Sequence, residues 1–259
     1  MTFSKATLNL AGQALDYWVG GSGAPLLVLH SASGIRLSAG LENLARQRRI
    51  LMPILPGFDG TPTNERIASM AELADLAGEF IAATEIGPCD VVGHSFGGWV
   101  AAWLALRHPE RLRQMVLVGA AGFRPDGVGG LVGTPEQLRP LLFAHPENLP
   151  PEQKPPELLA RNRQMLEHYH AAAATDRDLV ARLGEIKALT VILHGLSDGV
   201  IPLASPRLLK QKIAGAHLVY VYDAAHVIDV DQPERYAALI GDFLARGDAF
   251  IVKSGAKAV

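Results

Sequence analysis

The chain has 259 residues, 49% of them apolar and 19% charged, with a formal net charge of −2. This composition supports a large hydrophobic core and argues against a disordered chain. With no long basic run, it also argues against nucleic acid or an anionic membrane surface as a partner. The single cysteine, Cys89, cannot form an internal disulfide, and the N-terminal MTFSKATLNLAGQ does not read as a signal peptide. A cytoplasmic protein is expected.

Residues 5–19 alternate weakly around Gly12, which predicts a β-hairpin. Short apolar runs follow at 25–30, 50–55, 90–93, 114–119, 189–193 and 218–222. Their continuity predicts strands covered on both faces. Helical patterns lie between them at 37–46, 70–84, 96–107, 206–213 and 233–244, the last with Asp231 as its cap and Pro233 in its first turn. The apolar stretch 91–106 is too short for a membrane span and reads as a buried strand followed by a buried helix. Strands alternating with helices predict an α/β fold: a doubly wound, mostly parallel sheet of about eight strands with helices on both faces.

The alternation breaks between about Phe123 and Glu185. RPDGVGGLVGTPEQLRP and HPENLPPEQKPP are rich in proline and glycine, and helical stretches follow at 157–170 and 176–183. Residues 123–184 therefore read as a helical cap or lid inserted over the carboxyl edge of the sheet. Residues 1–122 and 185–259 form the core.

The stretch DVVGHSFGGWV places Ser95 between a strand and a helix, with Gly93 and Gly97 two residues to either side. A strand that feeds a helix through one tight residue strains that residue, and small neighbours are needed where the two elements meet. The serine oxygen is then exposed above a helix N-terminus, whose free N–H groups and dipole favour a developing negative charge. Gly-x-Ser-x-Gly in this strand–turn–helix context predicts a nucleophile.

A serine nucleophile needs a histidine base, and the histidine needs a carboxylate. His226 follows the run HLVYVY after a short loop, at the strand edge where Ser95 emerges. His94, beside the serine, is expected to aim elsewhere. For the acid, Asp198 is displayed on the loop after TVILHG, while Asp223, Asp229 and Asp231 lie nearer to His226 in sequence. The order serine, aspartate, histidine favours Asp198.

GHSFGG, HGLSDGVIP and AAHVIDVDQPE together resemble the nucleophile, acid and histidine loops of the α/β-hydrolase fold superfamily, over nearly the whole chain. The lidded pattern is similar to that of esterases and of hydrolases that cleave carbon–carbon bonds of aromatic ring-fission products. The resemblance implies an oxyanion hole from the backbone N–H groups of Phe96 and Ala32. LHSASG stands where the family has His-Gly, so Ser33 competes with Ala32. In ILPGFDGTP, Ile54 and Asp59 replace the first acid and second glycine of the family's Asp-x-Pro-Gly-x-Gly loop.

The expected activity is acyl transfer to water, with no cofactor and no metal. A carboxylesterase for small, moderately apolar esters leads. The alternatives are a carbon–carbon hydrolase of a dienoate diketone, which calls for a lid arginine facing the serine, and a slow-turnover ligand sensor on the same scaffold. Phe123, Leu141, Phe143 and Met165 are candidates to line an apolar pocket, and Arg124, Arg161 and Arg163 to bind a carboxylate. The expected partner is a small-molecule substrate, and the expected state a monomer or homodimer.

Overall fold

The computed structural model describes residues 3–10, 12–125, 134–151, 153–169 and 174–250. An eight-stranded sheet runs in the order β1 (Ser4–Leu10), β2 (Gln13–Gly20), β4 (Arg48–Pro53), β3 (Ala24–Leu29), β5 (Cys89–His94), β6 (Leu112–Val118), β7 (Leu189–Gly195) and β8 (Ala216–Val221). β1 and β2 pair antiparallel, as do β2 and β4; from β4 to β8 all neighbours are parallel. The expected fold class is the observed one.

Helices α1 (Ala39–Ala45), α2 (Met70–Ala83), α3 (Phe96–Arg107), α7 (Ala204–Lys212) and α9 (Pro233–Arg246) cross between strands or close the chain. α1 packs on α9 and α2 on α3. α2 starts where it does because Ser69 accepts from the Glu72 N–H while the Glu72 carboxylate reaches back to the Ala68 N–H. α3 buries ten of its twelve residues, as an apolar helix with no solvent face must. Strand order reverses at β3, which lies between β4 and β5. The crevice outside the carboxyl ends of β3 and β5 is where such sheets bind ligands.

The segment between β6 and β7 carries α4 (Pro135–Leu142), α5 (Pro156–His168) and α6 (Arg177–Arg182). α4 falls in the proline- and glycine-rich stretch, outside the expected helices. Thr134 and Gln137 form a capping box with Pro135 in the first turn, a local signal that outweighs the flanking glycines and prolines.

Asp231 does not cap α9; Gln232 occupies that position. Asp231 ends a short helix, α8 (Ile228–Asp231), and its carboxylate accepts from the backbone N–H groups of Ala225 (2.7 Å) and His145 (2.9 Å). Two buried N–H donors hold it more firmly than an exposed cap would. No helix among the described residues is long and apolar enough to cross a membrane.

Candidate active site

Ser95 is the only residue between β5 and α3, at φ 53° and ψ −111°, a conformation a side chain rarely adopts. Backbone bonds hold it there. The Ser95 N–H donates to the Val118 carbonyl (2.9 Å), and the Ser95 carbonyl accepts from Gly98 (3.0 Å) and Ala121 (3.0 Å). A Cβ on residue 93 would lie 2.4 Å from the Gly97 carbonyl oxygen, and one on residue 97 would lie 2.1 Å from that of Leu29. Both positions therefore require glycine. The Ser95 hydroxyl caps no N–H of α3.

His226 and Asp198 meet at the same strand edge. Asp198 Oδ1 accepts from the N–H groups of Val200 (2.8 Å) and Ile201 (2.9 Å), which turns Oδ2 toward His226 Nδ1 at 2.9 Å. This pairing assigns the proton to Nδ1 and leaves Nε2 with a lone pair. Gly119, at φ +48°, makes room: a Cβ there would lie 3.0 Å from His226 Nδ1 and 3.3 Å from Asp198 Oδ2. Gly119 follows Val118, whose carbonyl holds the Ser95 N–H, so Ser95 and the His226–Asp198 pair flank one strand end. Burial opposes the Asp198 charge, but His226, with support from His194 and the Ile201 N–H, holds its carboxyl below the usual carboxylate range.

The other acids are engaged elsewhere or stand apart. Asp223 faces His145 at 2.9 Å, Asp231 is used as described, and Asp229 faces the recess formed by the loop after β3. His94 departs from expectation. Its Nε2 donates to the His226 carbonyl (3.1 Å), and the two rings lie 5.0 Å apart. Burial first, and then His226, lower its pKa to about 4, so a neutral imidazole steadies the backbone of His226. Adjacency to Ser95 was its one sequence signal. His194 Nδ1 stands 3.9 Å from Asp198 Oδ2 and was likewise not foreseen.

The loop after β3 is held in detail. The Leu55 N–H donates to His30 Nε2 (3.1 Å), so Nδ1 carries the proton and donates to the Ser31 carbonyl (2.8 Å). Burial lowers the His30 pKa to about 4. The Ser33 N–H donates to Ser31 Oγ (3.3 Å). Arg36, half-buried, lies 5.5 Å from the Phe143 ring and makes no hydrogen bond or ion pair among the described residues. It lines a small open recess with His30, Ser31, His94, Asp229 and Tyr236.

Of the four pocket candidates, Phe123 is fully buried in the core, Leu141 lies over Gly199, Phe143 stacks on Arg36, and Met165 covers Gly57. None of them lines that recess. Arg161 and Arg163 are exposed, and Arg124 donates to the Val200 carbonyl. The residue buried between Arg161 and Arg163 is Asn162, which no sequence pattern singles out. Cys89 is buried, and its thiol is pushed up to about 12, first by burial and then by Asp90. No group of three His, Cys, Asp or Glu side chains among the described residues is arranged to hold a metal ion.

A profile of the alpha/beta hydrolase family matches residues 20–239. The chain belongs to that family. It is 33% identical to a 2-hydroxymuconate semialdehyde hydrolase of Pseudomonas sp. strain CF600, over 88% of this chain and 89% of that one. It is 25% identical to a pimeloyl-(acyl-carrier protein) methyl ester esterase of Yersinia enterocolitica, over 88% and 96%. Among solved structures, a meta-cleavage product hydrolase of Pseudomonas fluorescens IP01 superposes with a TM-score of 0.78 at 25% identity, covering 93% of this chain and 97% of that one. The chain is thus a hydrolase.

Proposed function

We propose that the chain is a serine hydrolase that cleaves a carbon–carbon bond next to a ketone in a small dienoate, with the 123–184 segment as its lid. The observation that carries the serine chemistry is the His226–Asp198 pair at the strand end that also holds the strained Ser95. Ser95 Oγ attacks the ketone carbon, and His226 Nε2 takes its proton. Asp198 stabilises the imidazolium, and the N–H groups of Phe96 and Ala32 hold the oxyanion. When the tetrahedral carbon collapses, the carbon–carbon bond breaks and His226 returns the proton to the leaving carbon. Water, deprotonated by His226, then releases the acyl group from Ser95 as a carboxylic acid.

The substrate choice rests on the muconate-type relative, which matches over most of both chains. It also rests on Arg36, on the loop that carries Ala32; the Arg36 guanidinium feels Asp229 and Asp59 but makes no hydrogen bond to either. Arg36 offers the dienoate carboxylate the cation that the segment's own arginines do not. A carboxylesterase is the second reading. It is favoured by the outward placement of Arg161 and Arg163, since an uncharged ester needs no cation.

Steady-state turnover of a 2-hydroxy-6-oxo-dienoate and of p-nitrophenyl butyrate tests both readings. Ser95→Ala should abolish both activities, and unchanged turnover would refute the nucleophile. Arg36→Met should raise KM for the dienoate roughly tenfold or more, the worth of a charged hydrogen bond, and leave the ester unaffected. An inert dienoate with a good ester substrate would decide for the carboxylesterase.

A further inference from the structure

A polar clasp joins the segment between β6 and β7 to the loop after β3. Asn162, fully buried on α5, is its centre. Its Nδ2 donates to the Ser33 carbonyl (2.9 Å) and to Asp59 Oδ1 (2.9 Å), and its Oδ1 accepts from the Asp59 N–H (2.9 Å). Lys154 Nζ adds bonds to the same Ser33 carbonyl (2.8 Å) and to Asp59 Oδ1 (2.5 Å). Asp59 Oδ2 takes the Ile35 N–H (2.8 Å). Asp59 itself sits at φ 50°, and a Cβ on Gly34 would lie 2.1 Å from its Oδ1. The arrangement is built closely enough that one added carbon breaks it.

The clasp reaches the anion site through two peptide planes. The Ser33 carbonyl shares a rigid plane with the Gly34 N–H. That N–H donates to the Ser31 carbonyl (2.9 Å). The Ser31 carbonyl shares the next plane with the Ala32 N–H, and in a trans peptide the two point in opposite directions. Holding one end of each plane aims the other. We propose that Asn162 and Lys154 are positioning residues for the oxyanion-binding N–H of Ala32, acting through the Ser33 carbonyl and Asp59. The anion hole is complete only while α5 is docked, so docking of the segment and transition-state stabilisation are one event. The inference rests on the serine-hydrolase reading above but not on the choice between ester and carbon–carbon substrate.

The test uses p-nitrophenyl butyrate turnover together with two inhibitors: a trifluoromethyl ketone and the alcohol of the same skeleton. The ketone adds Ser95 Oγ at its carbonyl carbon; the π pair becomes the oxyanion and the serine proton passes to His226. The alcohol fills the same site without forming an oxyanion. Asn162→Ala and Lys154→Met should lower kcat roughly 10–100-fold, the cost of a misplaced catalytic donor, with KM within about twofold. The ketone should lose affinity by the same factor while the alcohol keeps its own. Lys154→Arg should restore most of kcat. Gly34→Ala, which attacks the clasp from the core side, should reproduce the defect if either of the other variants folds poorly. Unchanged kcat in all three disrupting variants, or equal losses for ketone and alcohol, would overturn the proposal. If Ser95→Ala were as active as the parent, the serine reading itself would be wrong, a result the clasp variants cannot mimic.

Discussion

The turn at Ser95 and the segment that bears Asn162 are held by different means. The turn is fixed by backbone and by the absence of side chains: Gly93, Gly97 and Gly119 let a strand, a helix and the His226–Asp198 pair approach within a few ångströms. The segment is fixed by side chains reaching across the fold, with Asn162 and Lys154 on Asp59 and Ser33, and Tyr169 donating to the Pro56 carbonyl (2.7 Å). A framework of the first kind has one arrangement, because packed backbone cannot yield by degrees. One of the second kind can part and rejoin, since each of its bonds has a modest net worth once water competes, about 1 kcal/mol between neutral groups and about 1.5–3 kcal/mol where Asp59 or Lys154 brings a charge. On the serine-hydrolase reading proposed above, the machinery that must not move is on the first, and the lid that would admit substrate is on the second.

The comparison breaks hardest at Asp198. Asp198→Asn keeps the shape of the pair but presents an amide to Nδ1, which favours the wrong histidine tautomer. We expect kcat for p-nitrophenyl butyrate to fall about 10⁴-fold, with the urea midpoint little changed. A loss smaller than tenfold would mean that His226 is not working as the base.

Gly97→Ala sharpens the same comparison on the stability side. Its Cβ would meet the Leu29 carbonyl oxygen at 2.1 Å and that of His30 at 2.7 Å, and both are backbone, which cannot swing aside as a side chain would. The expected cost is about 3 kcal/mol, the upper end for overpacking, read as a fall in the urea midpoint. Gly60→Ala is the control: nothing lies within 4 Å of its Cβ position, although its φ of +82° still disfavours a side chain. If Gly97→Ala were no worse than Gly60→Ala, the turn would be held by something other than close contact.

The same division explains what the sequence disclosed. The strained turn at Ser95 and the pairing of Asp198 with His226 were legible because each residue sits at a strand end marked by a local pattern, and α2 and α3 because their periodicity lies within a few residues. Asp59, Lys154 and Asn162 were not legible. Asp59 stood out as a departure from the family's glycine, but its partners lie 95 and 103 positions away in sequence. No local rule connects a lysine in a proline-rich stretch to an aspartate in another loop. His94 was misread for a related reason: its direction is set by the His226 carbonyl, 132 positions on. Asp231 was assigned by proximity to a helix start, when its strongest donors were the N–H groups of Ala225 and His145.

His30 gives the smallest effect and bears on the boundary between the two regions, because its ring links the Leu55 N–H to the Ser31 carbonyl of the clasped loop. Its folded pKa is lowered from 6.5 to about 4 by burial. Below pH 6.5 the unfolded imidazole takes up a proton that the folded one refuses, so stability falls as pH drops toward 4 and is fully present above 6.5. Asp198 contributes nothing in that window, because a carboxyl held low loses its stabilising effect only below its ordinary value of 3.8. One pH unit below 6.5, the His30 share of the loss is about 1 kcal/mol. Urea unfolding at pH 7.5 and 5.5 measures it: the drop between the two should be smaller by that amount in His30→Gln, which has nothing to titrate there. His94, also lowered to about 4, is present in both proteins and cancels from the difference. Equal drops would mean that the folded protein lets the His30 ring take its proton, so that Nε2 gives up the Leu55 N–H and the loop bearing Ala32 shifts to accommodate the change. Such a loop would belong with the movable region rather than with the turn at Ser95.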